Sequence, residues 1–393
     1  MVTQKPYLPN FRLYSCIGKS CRGSSNVFLG KKEGETTPVS VRICPLDQCK
    51  VSLEELEREV SMLKVINHPH VIKIKEVFVY GAQLVMIMPL MDYGSVTDLV
   101  QAQFTFGLPE LAIDLILYDV LQALYYLHCR DIIHRSVRCS HILISSDGRV
   151  YLSGMRYACS ILHNGLRLNK FHDFTPELRP NLLWLAPEVL QQNLNGYGLK
   201  SDLYSLGVAG CEMANGFPPF ADMEQMQMLF EKLRGTTPRL LDCTTLGSEV
   251  LPEDSEGTDH QRSRQFSNNF HEFIESCLIA DPLQRPSSEE LLAHSFFKQV
   301  SKKKVNLCEL LHPLKPIALP KNGGGIRSPD SSSQGQSPAV STDATDPFQD
   351  TWIFETESTV ILLSIYVLFV SRRAVIFEKL KGMLFLQDTP GRL

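Results

Sequence analysis

The chain has 393 residues, 44% of them hydrophobic and 21% charged, an ordinary globular balance with room for two modest lobes and a tail. Thirty-nine basic residues against forty-three acidic ones leave a net charge of −4, which gives no basis for nucleic-acid or anionic-membrane binding. The eleven cysteines are odd in number and include no CxxC pair. The matching four-residue gaps of Cys16/Cys21 and Cys44/Cys49 invite a zinc reading, but no His/Cys cluster of the usual ligand spacing accompanies them, so reduced thiols and no metal site are expected. The N-terminus "MVTQKPYLPNF" lacks a charged-then-apolar leader design, and a nuclear or cytoplasmic address is expected.

After a lead-in over residues 1–10, residues 11–92 read as strands with one helix. "YSCIG", "SSNVFLGKK" and "TPVSVRIC" alternate apolar and polar residues and break at Gly, Glu-Gly and Pro. A helix follows: Ser52 and Glu55 have capping-box spacing, Leu53, Leu56, Val60 and Leu63 form one apolar stripe, and Pro69 lies beyond the stop. "VIKIKEVFVY" and "LVMIMPL" then alternate as a hairpin, which completes a five-stranded small lobe. Residues 93–298 form the larger lobe, helical in pattern from Leu108 onward, from "PELAIDLILYDVLQALYYLH" to "SSEELLAHSFF", with a polar insertion at 240–266. The fold class expected is therefore α+β in two lobes. Residues 299–393 form a tail; its stretch 318–350 is rich in Gly, Ser, Pro and Asp, a composition that buries too little apolar surface to fold.

The segments "IGKSCRGSSNVFLG", "VSVR", "HRSVRCSH", "SGMR", "LAPEV", "SDLYSLG" and "DPLQRP" follow one another in an order and at spacings that resemble the protein-kinase fold over residues 11–298. The resemblance implies scaffold roles for three residues. Glu188 of "LAPEV" pairs with Arg285 of "DPLQRP", and Asp202 accepts backbone N–H bonds from the catalytic loop. It also implies an adenine edge met by backbone groups of Pro89 and Met91, with Met88 as gatekeeper. At the chemical positions the chain departs from the pattern. Ser136 stands where the proton-accepting aspartate belongs, and a serine hydroxyl is no base at neutral pH; losing a general base costs about 10²–10⁴ in rate. His141 replaces the asparagine that holds a second Mg²⁺, and imidazole suits a hard cation poorly. Gly154 replaces the Mg²⁺-binding aspartate itself. Arg156, two residues on, either points to solvent or reaches the phosphates and supplies charge in place of the metal.

The phosphate-pairing lysine is Arg42, expected to pair with Glu59 and hold the helix inward, and the catalytic-loop lysine is Arg138. Gly18 and Gly23 fit a phosphate-covering loop whose middle glycine is Ser20. Val27 comes nine residues after Gly18, so the flap is longer than usual, and the β-carbon at Ser20 makes close approach to phosphate harder.

"HRSVRCSHILISSDGRVYLSGMR", "MDYGS" and "LAPEVLQQNLNGYGLKSDLYSLG" closely resemble the STRAD family of Sterile-20-related pseudokinase adaptors. This resemblance implies a bilobal kinase fold that binds ATP as a structural ligand without magnesium and does not turn it over. It implies two partners, a serine/threonine kinase of the liver kinase B type and a helical-repeat scaffold similar to calcium-binding protein 39, with movement of the kinase from nucleus to cytoplasm. Trp352-Ile353-Phe354 is similar to the family's Trp-Glu-Phe scaffold-docking motif, with the middle residue changed and without its terminal position. The apolar run Thr359–Val370 has twelve residues; as a helix it spans about 18 Å against about 30 Å of bilayer core, so a membrane span is not expected. The competing expectation is a weakly active Ste20-like kinase that recruits another base, for which Asp173 is the candidate.

Overall fold

The computed structural model describes residues 8–163, 166–168, 171–192, 195–246, 256–298, 305–312 and 314–319. The expectations for Trp352, Phe354 and 359–370 lie outside the described residues.

In the small lobe, β1 (Phe11–Ser20), β2 (Ser25–Lys32), β3 (Pro38–Pro45), α1 (Leu53–Val65), β4 (Glu76–Tyr80) and β5 (Gln83–Pro89) follow in chain order. The strands form one antiparallel sheet in the order β1-β2-β3-β5-β4. Its core gathers Phe11, Phe28, Val41, Ile43, Val85 and Ile87, the residues that alternation assigns to one face. α1 begins with the reciprocal capping box between Ser52 and Glu55, which satisfies two otherwise orphan donors. Its inward face buries Leu56, Glu59 and Leu63, so the helix carries a carboxylate toward the sheet; of the expected stripe, Val60 is half-buried and Leu53, in the first turn, is 68% exposed.

The run "VIKIK" does not open the fourth strand, which starts only at Glu76. The Ile72 N–H instead donates to the Leu152 carbonyl at 3.0 Å, and the Leu152 N–H to the His70 carbonyl at 2.8 Å. Alternation reports which side chains are buried, not which backbone pairs with them; here the partner belongs to the large lobe.

That lobe starts with β6 (Gly94–Ser95), α2 (Val96–Ala102) and α3 (Glu110–His128), then the short strands β7 (Ile132–Ile133), β8 (Ile142–Ile144), β9 (Val150–Leu152), β10 (Cys159–Ser160), β11 (Leu162–His163) and β12 (Leu166–Arg167). The helices α4 (Pro187–Gln191), α5 (Ser201–Asn215), α6 (Gln225–Arg234), α7 (Cys243–Leu246), α8 (Glu256–Ser263), α9 (Asn268–Cys277) and α10 (Ser288–Leu292) complete it. α5 is buried along its whole length. Gly210 permits this, because a β-carbon there would meet the Ile274 side chain of α9 at 2.5 Å. The polar insertion is anchored rather than loose at its described ends: buried Asp242 accepts from the Thr244 and Phe266 backbone N–H groups and from His271 Nε2. The two lobes meet where α1 packs on the 3₁₀ turn Met155–Tyr157.

Candidate functional site

The cleft between the lobes collects nearly all of the residues singled out in the sequence. Arg42 on β3 and Glu59 on α1 form a two-pronged ion pair, Nη1–Oε1 2.9 Å and Nη2–Oε2 2.5 Å, and both are buried. Burial alone would push the Glu59 carboxyl up; the Arg42 guanidinium outweighs it and holds the group below the usual carboxylate range. The pair fixes α1 inward, as expected from its spacing.

Asp202, at the start of α5, accepts the His134 and Arg135 backbone N–H groups at 2.8 Å each, and His128 Nε2 lies 3.0 Å away. Arg285 is fully buried and grips Glu188 at 2.7 and 3.1 Å while donating to the Lys200 carbonyl. These three scaffold residues do what their positions imply.

At the chemical centre the substituted residues pack on one another. His141 Nδ1 lies 2.9 Å from the Ser136 carbonyl and 2.8 Å from Ser136 Oγ, and Arg138 Nη2 lies 3.4 Å from His141 Nε2. A carbonyl only accepts and a guanidinium only donates, so the proton sits on Nδ1 and the lone pair on Nε2. The neighbouring Ser136 hydroxyl therefore faces an N–H and not a base, and the serine–histidine contact is not a nucleophile–base dyad. Burial, and next the Arg138 charge, hold the His141 imidazole well below its usual range, so it stays neutral. Gly154 sits at φ +89°, and a β-carbon there would meet His141 Nδ1 at 2.6 Å and Cγ at 2.9 Å. The imidazole occupies the space that any side chain at 154 would need. The two departures from the kinase pattern are thus one packing solution.

Arg156 does not point to solvent. It is buried, donates from Nη2 to Tyr157 Oη at 2.9 Å, and lies over the Tyr157 ring at 4.8 Å. Its charge acts on Glu59 across the lobe interface, and its Nε has no hydrogen-bond partner among the described residues. Arg138 turns toward residues 154–188, the activation segment by the kinase resemblance, and lies 5.4 Å over the Trp184 ring and 3.4 Å from the Pro180 carbonyl. The Pro89 carbonyl already accepts from Ser40 Oγ at 3.1 Å, which leaves it one lone pair for an adenine amino group. Met91, two residues on, has its carbonyl taken by the Gly94 N–H at 3.0 Å.

The flap is fastened, which its glycines do not foretell. β1 pairs with β2 through Gly18↔Val27 to Ser20↔Ser25, so Ser20 is a strand residue and the turn is Cys21-Arg22-Gly23-Ser24. Cys21, Arg22 and Gly23 all have positive φ. The turn tips inward: Cys21 is buried with Cys44, Val51 and Leu56, Ser24 Oγ accepts from the Lys50 N–H, and Arg22 reaches the Lys50 carbonyl. Cys21 also brings its thiol beside Cys44 and Cys49, all three Sγ atoms lying within 4.8 Å of one another. That convergence revises the expectation that the cysteine pairs stand apart from any cluster; the third member comes from a hairpin tip, too far along the chain for spacing to show. Cys16 remains exposed.

Sequence reasoning also passed over Arg135. Its buried guanidinium donates from Nε to the Tyr157 carbonyl at 2.7 Å and from Nη1 to Asp173 Oδ2 at 3.0 Å and Tyr197 Oη at 3.2 Å. Asp173 is therefore engaged in holding the activation segment and is not brought to Ser136. The available signal was the His-Arg pair opening "HRSVRCSH".

The groups present fit a nucleotide held by its charge and its adenine edge. Among the described residues Arg156 Nε is a buried donor without a partner, Arg42 keeps its cation at the cleft, and the Pro89 carbonyl retains an acceptor site.

Comparison with known proteins agrees with this geometry. Residues 14–297 match the protein kinase domain family. The chain is 41% identical over 347 residues to STE20-related kinase adapter protein alpha of Homo sapiens, covering 82% of this chain and 80% of that protein. It is 41% identical over 354 residues to the alpha protein of Gallus gallus, with 83% and 90% covered. With STE20-related kinase adapter protein beta of Homo sapiens it shares 35% over 341 residues, with 79% and 81% covered. A kinase-domain scaffold that is intact where shape is held and altered where a proton and a metal would be handled, together with these likenesses, makes the chain a member of the STE20-related kinase adapter family.

Proposed function

We propose that the chain is a catalytically inactive pseudokinase that binds ATP as a structural ligand and activates a partner serine/threonine kinase of the liver kinase B type by docking. A scaffold similar to calcium-binding protein 39 joins the assembly, which moves between nucleus and cytoplasm. The observation that carries the reading is the packing of His141 against Gly154: the place of a metal-binding carboxylate is filled by an imidazole ring, and the base position is a serine whose hydroxyl faces the protonated Nδ1 of that ring. Arg42, Arg156 and the Pro89 carbonyl would hold the nucleotide, and its role would be to stabilise the closed state, by about 2.7 kcal/mol when ligand exceeds Kd a hundredfold.

The activation segment supports the docking half of the proposal. Leu162, Leu166 and Leu168 are exposed at 45%, 74% and 39% on a segment that Arg135 and Asp173 hold in place. Apolar side chains presented from a fixed segment suit a partner surface. Binding the active form of the partner more tightly than its inactive form would shift its population toward activity.

The test uses the purified full chain in two assays. No transfer of γ-phosphate to protein substrates is expected, while addition to the partner kinase and scaffold raises the partner's turnover. Phosphotransfer by the chain that Arg42→Ala abolishes would establish a weak kinase instead.

A further inference from the structure

We propose that Cys21, Cys44 and Cys49 form a binding site for a thiophilic closed-shell metal ion, Zn²⁺ or Cu⁺, which pins the glycine-rich hairpin to the end of β3 and the loop before α1. The three sulfurs come from three segments and converge within 4.8 Å of one another. Zn–S bonds of about 2.3 Å in tetrahedral geometry place sulfurs about 3.8 Å apart. The Cys44–Cys49 sulfurs now stand at 3.0 Å and would open by less than an ångström. Cys44 and Cys49 form a C-x₄-C pair, which lies within the range of zinc ligand spacings.

A second observation concerns the same place. Ser25 is fully buried, and its hydroxyl lies within reach of the Cys21 and Cys44 sulfurs. A hydroxyl there donates to sulfur as thiolate, the form in which cysteine holds a metal.

Charge and access also fit. Three thiolates on Zn²⁺ carry −1 and on Cu⁺ carry −2; the Arg42 and Arg156 cations, whose fields reach Cys21, offset that charge. Cys49 is the partly exposed member and gives the entry path. Binding releases up to three thiol protons to solvent and involves no oxidation or reduction. Soft thiolates select Cu⁺ and Zn²⁺ over hard cations, so magnesium is excluded from this site. Because Cys21 sits in the flap turn and Cys44 lies two residues past Arg42, an ion here would fix the flap against the strand that carries the phosphate-pairing cation.

The experiment is a titration of the full chain, purified under reductant and stripped with chelator, using Co²⁺ as the optical probe and then Zn²⁺ and Cu⁺ in competition. The expected result is one equivalent bound, with thiolate-to-cobalt charge-transfer absorption displaced by Zn²⁺ or Cu⁺. Which ion displaces at lower concentration tells the two apart. Cys49→Ser, at a partly exposed position, should weaken binding at least tenfold while the apo protein melts as before; Cys129→Ser, at an exposed thiol elsewhere, should change nothing. Absence of saturable uptake, uptake undiminished by Cys49→Ser, or recovery of these cysteines as a disulfide under reducing conditions would overturn the proposal.

Discussion

Replacing Gly154 with alanine tests whether the two substituted chemical positions are one packing unit. The methyl group would lie 2.6 Å from His141 Nδ1. Restoring ordinary contact requires the ring to retreat by roughly an ångström. That movement breaks the 2.9 Å bond from Nδ1–H to the Ser136 carbonyl and leaves buried polar groups unpaired, at about 1–3 kcal/mol. The left-handed backbone at φ +89° adds about 1–2 kcal/mol for a residue with a β-carbon. Gly154→Ala should therefore cost about 2–5 kcal/mol in urea denaturation, read from the midpoint at unchanged m. In a His141→Ala background the ring is gone and only the backbone term of about 1–2 kcal/mol should remain. The double-mutant cycle should then give a coupling of about 1–3 kcal/mol. Additivity within about 0.5 kcal/mol would refute the reasoning, since it would mean that the ring does not occupy the space of a side chain at 154.

If Arg156 supplies the charge that a metal would otherwise bring, ATP raises the melting temperature of the full chain in EDTA and Arg156→Ala removes the shift; strict dependence on magnesium would count against it. Glu188→Ala leaves the Arg285 cation buried and unpaired, so stability should fall by about 3–5 kcal/mol, and stimulation of the partner kinase should fall with it. Acid should destabilise the fold through His134 and His141. Both are held below the usual imidazole range by burial, so the unfolded chain takes up protons that the folded chain refuses. Stability is then full at neutral pH and declines below about pH 6.5, by up to about 1.4 kcal/mol per pH unit for each histidine. His141→Gln should flatten that slope in pH-dependent denaturation; an unchanged slope would assign the acid sensitivity elsewhere.

Much of the small lobe was legible because its signals are local. The capping box of Ser52 and Glu55 lies within one helical turn, and alternation along β2, β3 and β5 assigns their faces without reference to partners. The Arg42–Glu59 and Glu188–Arg285 pairs were also legible, through the order of landmarks in the chain. Residues 71–75 were misread for the opposite reason: their apolar alternation answers to a strand of the other lobe, some eighty residues away.

The sequence by itself determined which residues stand at the three positions where the chain departs from the kinase pattern, because Ser136, His141 and Gly154 are chemical identities that no fold can change. Only the tertiary structure decided what stands there instead. The tautomer of His141 depends on a carbonyl and a guanidinium converging on its two nitrogens, and the exclusion of a side chain at 154 depends on a ring arriving from thirteen residues earlier. The burial of Arg156, the grip of Arg135 on Asp173 and the meeting of Cys21 with Cys44 and Cys49 are likewise contacts between segments. Such contacts arise from packing and charge pairing across the folded lobes, and no local pattern in the chain encodes their distances.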